Sequence, residues 1–236
     1  MIDYVEVFNR DLAGYCDNSG IEFFFEYQQG EQFYHYMKSI LKWNEVINLT
    51  AIKNEDEFIV KHYVDSLTAL REIEFYEQEK LHNNINDNNR IKLLDLGTGA
   101  GFPGVPLKIA RSDIDITLID SVQKKLNCVK DSCEKSKIED VKIIHTRAED
   151  LQKQKEYNGK FDIVTTRAVS NMTNLANWML PFLKKGGIAI CMKGPNYKEE
   201  LEEAKTIIEK HGCIVEKIDT FNIEDNERNN IIIRKK

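Results

Sequence analysis

The sequence predicts an α/β fold: a small helical N-terminal region, then a doubly wound seven-stranded sheet, parallel except for an antiparallel hairpin at its C-terminal end. Three observations carry this. Apolar residues recur at helical spacing in the first third of the chain, short β-type runs alternate with helical stretches after residue 90, and the last two runs stand close together. With 236 residues and 42% hydrophobic content, the chain can bury one large core, or a main core with a small accessory one. The expected organisation is an acidic helical region over 1–80, an Asn-rich linker over 81–90 and a ligand-binding domain over 91–236.

From Gln28 to Val46, and on to Ile47, the apolar positions Phe33, Tyr36, Met37, Ile40 and Leu41 fall three and four residues apart, the period of an amphipathic helix. A second helix begins after Asn54, which with Glu57 makes a capping-box-like start, and runs through Phe58, Ile59, His62, Tyr63 and Leu67 to about Leu70. The run from Leu81 to Asn89 has too little apolar content to pack and too many asparagines to stay helical, so the boundary is placed there. Beyond it the candidate strands are Ile91 to Leu96, Ile114 to Ile119, Val141 to His145, Phe161 to Thr165, Gly187 to Met192, Cys213 to Ile218 and Asn230 to Arg234. Five strands alternating with helices and a closing hairpin are the layout of Rossmann-like methyltransferases.

Composition narrows the class. The first residues carry acid where a signal peptide needs base, and no apolar run approaches the ~18 residues of a membrane span, so a cytoplasmic protein with no membrane partner is expected. The five cysteines are odd in number and include no C-x-x-C pair, which points to reduced thiols and to no metal site. The net charge of −6 conceals an asymmetry: residues 1–89 hold 7 Lys/Arg against 17 Asp/Glu, whereas residues 90–236 hold 26 against 22. Only the second region is electrostatically suited to an anionic substrate, with peripheral lysines such as Lys124, Lys184 and Lys185 as expected contacts for it.

The strongest motif is Leu93-Leu94-Asp95-Leu96-Gly97-Thr98-Gly99-Ala100-Gly101-Phe102-Pro103-Gly104, between the first strand and the next helix. Glycines there let the backbone turn sharply and approach a ligand at the carboxyl edge of the sheet. Read through Gly99, Gly101 and Gly104 the loop satisfies the dinucleotide pattern, but that places Pro103 in the phosphate turn and leaves Asp95 idle. Read from Asp95 through Gly97, Gly99 and Gly101 it fits S-adenosylmethionine enzymes, with Asp95 helping to hold the methionine end. Asp120, 19 residues after Gly101 at the end of the second strand, can accept both ribose hydroxyls of either cofactor. After the third strand, Ala148 and Glu149 are placed to bracket an adenine, although in isolation Glu149 also suits a solvated position in a helix's first turn.

Methyl transfer is an in-line displacement that needs a base only when the nucleophile must lose a proton. The sequence has no Asn/Asp-Pro-Pro-Tyr/Phe segment for exocyclic amines and no Pro-Cys for covalent attack on a pyrimidine; Cys191, between Ile190 and Met192, reads as core. Arg167 follows the fourth strand at the catalytic edge, where a guanidinium can bind phosphate or the acceptor edge of guanine. Guanine N7 carries a lone pair and needs no deprotonation.

These residues together resemble the bacterial small-subunit rRNA guanine methyltransferases called RsmG or GidB. The resemblance runs through Trp43 to Ile52, His62 to Leu67, Asp95 to Leu107, Leu118 to Ser121, Arg147 to Asp150 and Phe161 to Val169, and Pro103 belongs to that family's loop. It implies S-adenosylmethionine as cofactor and transfer to position seven of a guanine in the decoding-centre loop of 16S rRNA, with the rRNA or the small subunit as partner of a monomeric enzyme. It also implies cofactor contacts at Gly97, Phe102, Ala148, Glu149 and Arg167, in a loop that includes Thr98, Gly99 and Gly101. His62 and Asp65, one helical turn apart, read alone as a surface pair or an interhelical contact; the resemblance makes them candidates for docking the N-terminal helices over the site or for contacting RNA. Lys193, after the fifth strand, is counted with them as a substrate-binding candidate.

Overall fold

The computed structural model describes residues 3–82 and 90–236. Helix α1 (Tyr4–Asn18) starts where the Asp3 carboxylate accepts from the N–H groups of Val5 and Glu6. Helix α2 (Tyr27–Ile47) is the first predicted helix, opened by the Gln29 side chain accepting from the Glu26 N–H at 2.9 Å. Asn54 caps α3 (Glu55–Phe58) through the Glu57 N–H, as its spacing predicts. The regular helix expected from there to Leu70 does not form. The chain passes through a π-turn (Ile59–Val64) and a short α4 (Asp65–Leu67), then begins α5 (Leu70–His82). The Asp65 N–H reaches back to the Val60 and His62 carbonyls, skipping Lys61, and this inserts one residue into the helix. Of the expected linker, residues 83–89 lie outside the described residues.

The sheet contains β1 (Lys92–Leu96), β2 (Asp115–Asp120), β3 (Val141–His145), β4 (Phe161–Arg167), β5 (Leu183–Lys193), β6 (Cys213–Ile223) and β7 (Asn226–Lys235). Their order is β3-β2-β1-β4-β5-β7-β6, with β1 to β5 parallel and β7 antiparallel to both β5 and β6. This is the predicted layout, with all seven strands in place. The crossovers carry α6 (Gly104–Ala110), α7 (Gln123–Lys135), α8 (Ala148–Leu151), α9 (Met172–Met179) and α10 (Tyr197–Lys210).

Alternation along the strands divides the core in two. Leu93, Ile163, Ile188, Ile190 and Ile232 face a cluster completed by α6, α7 and the N-terminal helices, whose largest buried side chains include Phe33, Tyr36, Phe58 and Tyr63. Their neighbours Leu94, Val164, Ala189, Cys191, Ile231 and Ile233 face a second cluster with α8 to α10. The N-terminal helices therefore supply part of the layer that covers one face of the sheet. All five cysteines are buried free thiols, and burial pushes Cys191 up to about 12, consistent with packing. Among the described residues no helix is long and apolar enough to cross a membrane, and no group of three or more His, Cys, Asp or Glu side chains is placed to hold a metal ion.

Candidate active site

The glycine loop leaves β1 and turns back on itself at the carboxyl edge of the sheet. Gly97 and Thr98 both donate their N–H to the Ile119 carbonyl, at 2.9 and 3.0 Å, and the Thr98 carbonyl accepts from Gly101 and Phe102. Asp95 lies fully buried beneath the loop. Its carboxylate accepts from the Gly104 N–H at 3.0 Å and the Thr165 hydroxyl at 3.1 Å. Burial raises its pKa to about 6, opposed by the nearby Thr98 hydroxyl and by those two donors. Asp95, expected to hold the methionine end of a cofactor, is instead sealed beneath the loop and fastens it to β4 from inside. Asp120 ends β2 and grips the loop from the other side, accepting from the Gly99 N–H at 2.9 Å and the Val122 N–H at 2.8 Å.

Two glycines show what the loop is shaped for. Gly99 has φ of +59° and open space where a Cβ would project, so the backbone there can be approached closely from outside. Gly101, at φ +90°, is covered by Tyr36 of α2, whose hydroxyl donates to the Ala100 carbonyl at 2.9 Å and would collide with any side chain there. Beside the loop opens a cleft of about 220 Å³ whose walls include Gly97, Asp120, Ala148, Glu149, Val169 and Trp178. Four of these were expected from the sequence; Val169 and Trp178 were not.

A second cleft, of about 500 Å³, brings together His62, Asp65, Arg167 and Lys193, which come from the π-turn, α4, β4 and β5. Arg167 and Ala168 line this cleft and Val169 lines the first, so the end of β4 is the wall between them. Ala168 makes that exit at φ +53°, a left-handed conformation that costs a residue with a Cβ about 1–2 kcal/mol. The Arg167 guanidinium, largely buried, donates through Nη1 to Asp65 at 2.9 Å and to the Lys61 carbonyl at 2.8 Å, and through Nη2 to His62 Nδ1 at 2.9 Å. It also stands 5.2 Å from the centroid of the Phe102 ring, on which His62 stacks at 4.4 Å with planes 7° apart. Arg228 of β7, 3.4 Å from Asp65, joins the cleft from a position no motif marked. Lys193 donates to the Ser170 carbonyl at 2.7 Å and to Glu200 at 2.6 Å.

The protonation states follow from these partners. A guanidinium only donates, so His62 Nδ1 must carry its lone pair, and Nε2 carries the proton and donates to the Thr50 hydroxyl at 2.9 Å. Burial, reinforced by the charge of Arg167, lowers its pKa to about 3, so the imidazole is neutral at any working pH. Asp65 is paired with two arginines and Glu200 with Lys193. Each of the cleft's potential bases is therefore already engaged, which suits a nucleophile that brings its own lone pair.

The expectation for Lys184 needs correction. It enters β5 at the opposite, amino edge of the sheet and binds the buried Asp162 at 3.0 Å, which also accepts from the Lys92 N–H. Lys184 is thus a partner for a buried carboxylate, at the edge of the sheet opposite the clefts.

Comparison with known proteins bears on this geometry. The family described as "GidB: rRNA small subunit methyltransferase G" matches residues 29–231. The ribosomal RNA small subunit methyltransferase G of Oceanobacillus iheyensis is 42% identical over 211 residues, 89% of this chain and 84% of that one. Its namesake from Clostridium botulinum strain Loch Maree is 38% identical over 233 residues, 98% and 91% of the two chains. Among solved structures, a methyltransferase from Pyrococcus furiosus aligns with a TM-score of 0.50 at 15% identity, covering 68% of this chain and 82% of its own. The TYW2 protein of M. jannaschii, solved with AdoMet, aligns with a TM-score of 0.50 at 15% identity, covering 68% and 76%. At such identities these structures establish the fold alone. The sequence relationship extends over nearly the whole chain, and the protein belongs to the GidB family of rRNA small subunit methyltransferases.

Proposed function

We propose that the protein transfers the methyl group of S-adenosylmethionine to N7 of a guanine in the decoding-centre loop of 16S rRNA, acting as a monomer in the cytoplasm. The observation that carries this reading is the pair of clefts meeting at the end of β4, the second of which holds arginines but only engaged bases. The residues of the first cleft fit the cofactor. Gly99 opens on free space, and Asp120 presents a carboxylate to the cleft that can accept from ribose hydroxyls. Ala148 and Glu149 flank the position of the adenine, and the backbone from Gly97 through Thr98 and Gly101 to Phe102, held from beneath by Asp95, forms the cradle. When bound, S-adenosylmethionine supplies an electrophilic methyl on its sulfonium.

In the second cleft Arg167 is the candidate catalytic residue, orienting the guanine or its phosphate, with His62, Asp65 and Lys193 shaping the surface that receives the RNA. A guanine N7 would bring its own lone pair to the sulfonium methyl, with neutral S-adenosylhomocysteine leaving as the S–CH3 bond breaks, so no side chain has to remove a proton. The helical region over 1–80 completes the site on the domain over 91–236 by contributing His62 and Asp65. Titration calorimetry with S-adenosylhomocysteine and with NAD tests the cofactor half of this reading. Binding of the former and silence from the latter is the expected result; the reverse would overturn it.

A further inference from the structure

In a regular α-helix the Lys61 carbonyl would accept from the Asp65 N–H. The π-turn diverts that N–H to Val60 and His62, and the released Lys61 carbonyl accepts from Arg167 instead. The same turn aims His62 Nδ1 and the Asp65 carboxylate at the same guanidinium, so three acceptors from five consecutive residues hold Nη1 and Nη2. Nε of Arg167 has no protein partner among the described residues, and the side chain lines the 500 Å³ cleft. His62 is fixed in turn by Thr50 on its other nitrogen and by Phe102 beneath its ring.

We infer that His62 is a positioning residue for methyl transfer, a neutral imidazole that clamps Arg167 with its Nε edge toward the acceptor guanine. This rests on the proposed function. A phenyl ring at position 62 keeps the stack on Phe102 and removes the acceptor; a glutamine restores an acceptor oxygen on a planar group. With the acceptor gone, Nη2 is freed and the guanidinium can rotate away from its productive direction, a misplacement of the kind that costs rate more than binding.

The test is single-turnover methylation of unmodified small-subunit rRNA particles, with melting temperature and S-adenosylhomocysteine affinity measured alongside. His62→Phe is expected to lower the rate about 10–100-fold at saturating RNA, with cofactor affinity within about threefold of wild type. His62→Gln should recover most of the rate. Arg167→Ala should lose as much as His62→Phe, and the double variant no more than Arg167→Ala alone, because the two residues act as one unit. A wild-type rate for His62→Phe, or losses that multiply in the double variant, would overturn the inference while leaving the proposed function standing. Failure of the wild type to methylate rRNA would overturn both.

Discussion

Arg167 combines two tasks at the scale of single residues: it ties β4 to the π-turn, and it presents one edge of its guanidinium to the cleft. Arg167→Lys is therefore not conservative. An ammonium lacks the planar fork that meets Asp65, the Lys61 carbonyl and His62 together, so single-turnover rates of Arg167→Lys should stay close to those of Arg167→Ala. Near-wild-type rates for both would make this arginine purely structural. At Asp120 the carboxylate holds Gly99 and borders the first cleft, so Asp120→Ala should weaken S-adenosylhomocysteine binding by about 1.5–3 kcal/mol, measured by calorimetry on the folded variant. Asp120, Ala148 and Arg167 could be found in the sequence because strand ends at a fixed distance from a glycine loop converge on one edge of the sheet. Lys61 could not, since it contributes a backbone carbonyl that every residue type carries. Tyr36, Trp178 and Arg228 reach the site from distant segments with no local pattern to mark them.

Between elements, the contact of α2 with the loop is the most consequential. Tyr36→Phe removes the hydrogen bond to the Ala100 carbonyl and should cost about 1 kcal/mol of stability, read as a lower melting temperature, together with weaker cofactor binding because Gly101 loses its cover. A second contact joins α5 to β6, where buried Glu72 meets Lys217 at 2.8 Å beside Asp219, itself bound by Arg71 at 2.7 Å. Burial, with Asp219 close by, raises Glu72 from 4.5 to about 7. A carboxyl raised on folding binds more protons in the folded than in the unfolded chain between those two values, so its contribution to stability grows as pH falls through that window and is lost as pH rises. Glu72→Gln should flatten the pH dependence of the melting temperature between pH 4.5 and 7, by roughly 2–4 °C, a shift readable by calorimetry. The central strands were legible because a sheet covered on both faces reads as short, nearly continuous apolar runs set between helical stretches. The hairpin proved longer than its apolar stretches, since β6 runs on to Ile223 and β7 starts at Asn226 through residues whose polar side chains gave no strand signal. The π-turn was illegible because the same residues satisfy either helical spacing, and the choice is made by where the Asp65 N–H bonds.

Over the whole molecule, charge and packing divide the labour differently from the linear sequence. The acidic first region and the sheet share one apolar cluster, yet the arginine at the wall between the clefts comes from the more basic second region. If RNA is held chiefly through its phosphates, its KM should rise steeply with salt while the affinity for S-adenosylhomocysteine barely changes, because only RNA binding releases counterions. Lys184→Ala should leave that salt dependence unaltered and lower stability instead, since its partner is the buried Asp162. The measurement that tests the central claim most directly supplies labelled S-adenosylmethionine and unmodified small ribosomal subunits to the purified protein and then identifies and maps the methylated nucleoside. The label is predicted in 7-methylguanosine at one position of the decoding-centre loop of 16S rRNA; no incorporation, or label in any other nucleoside, would contradict the account.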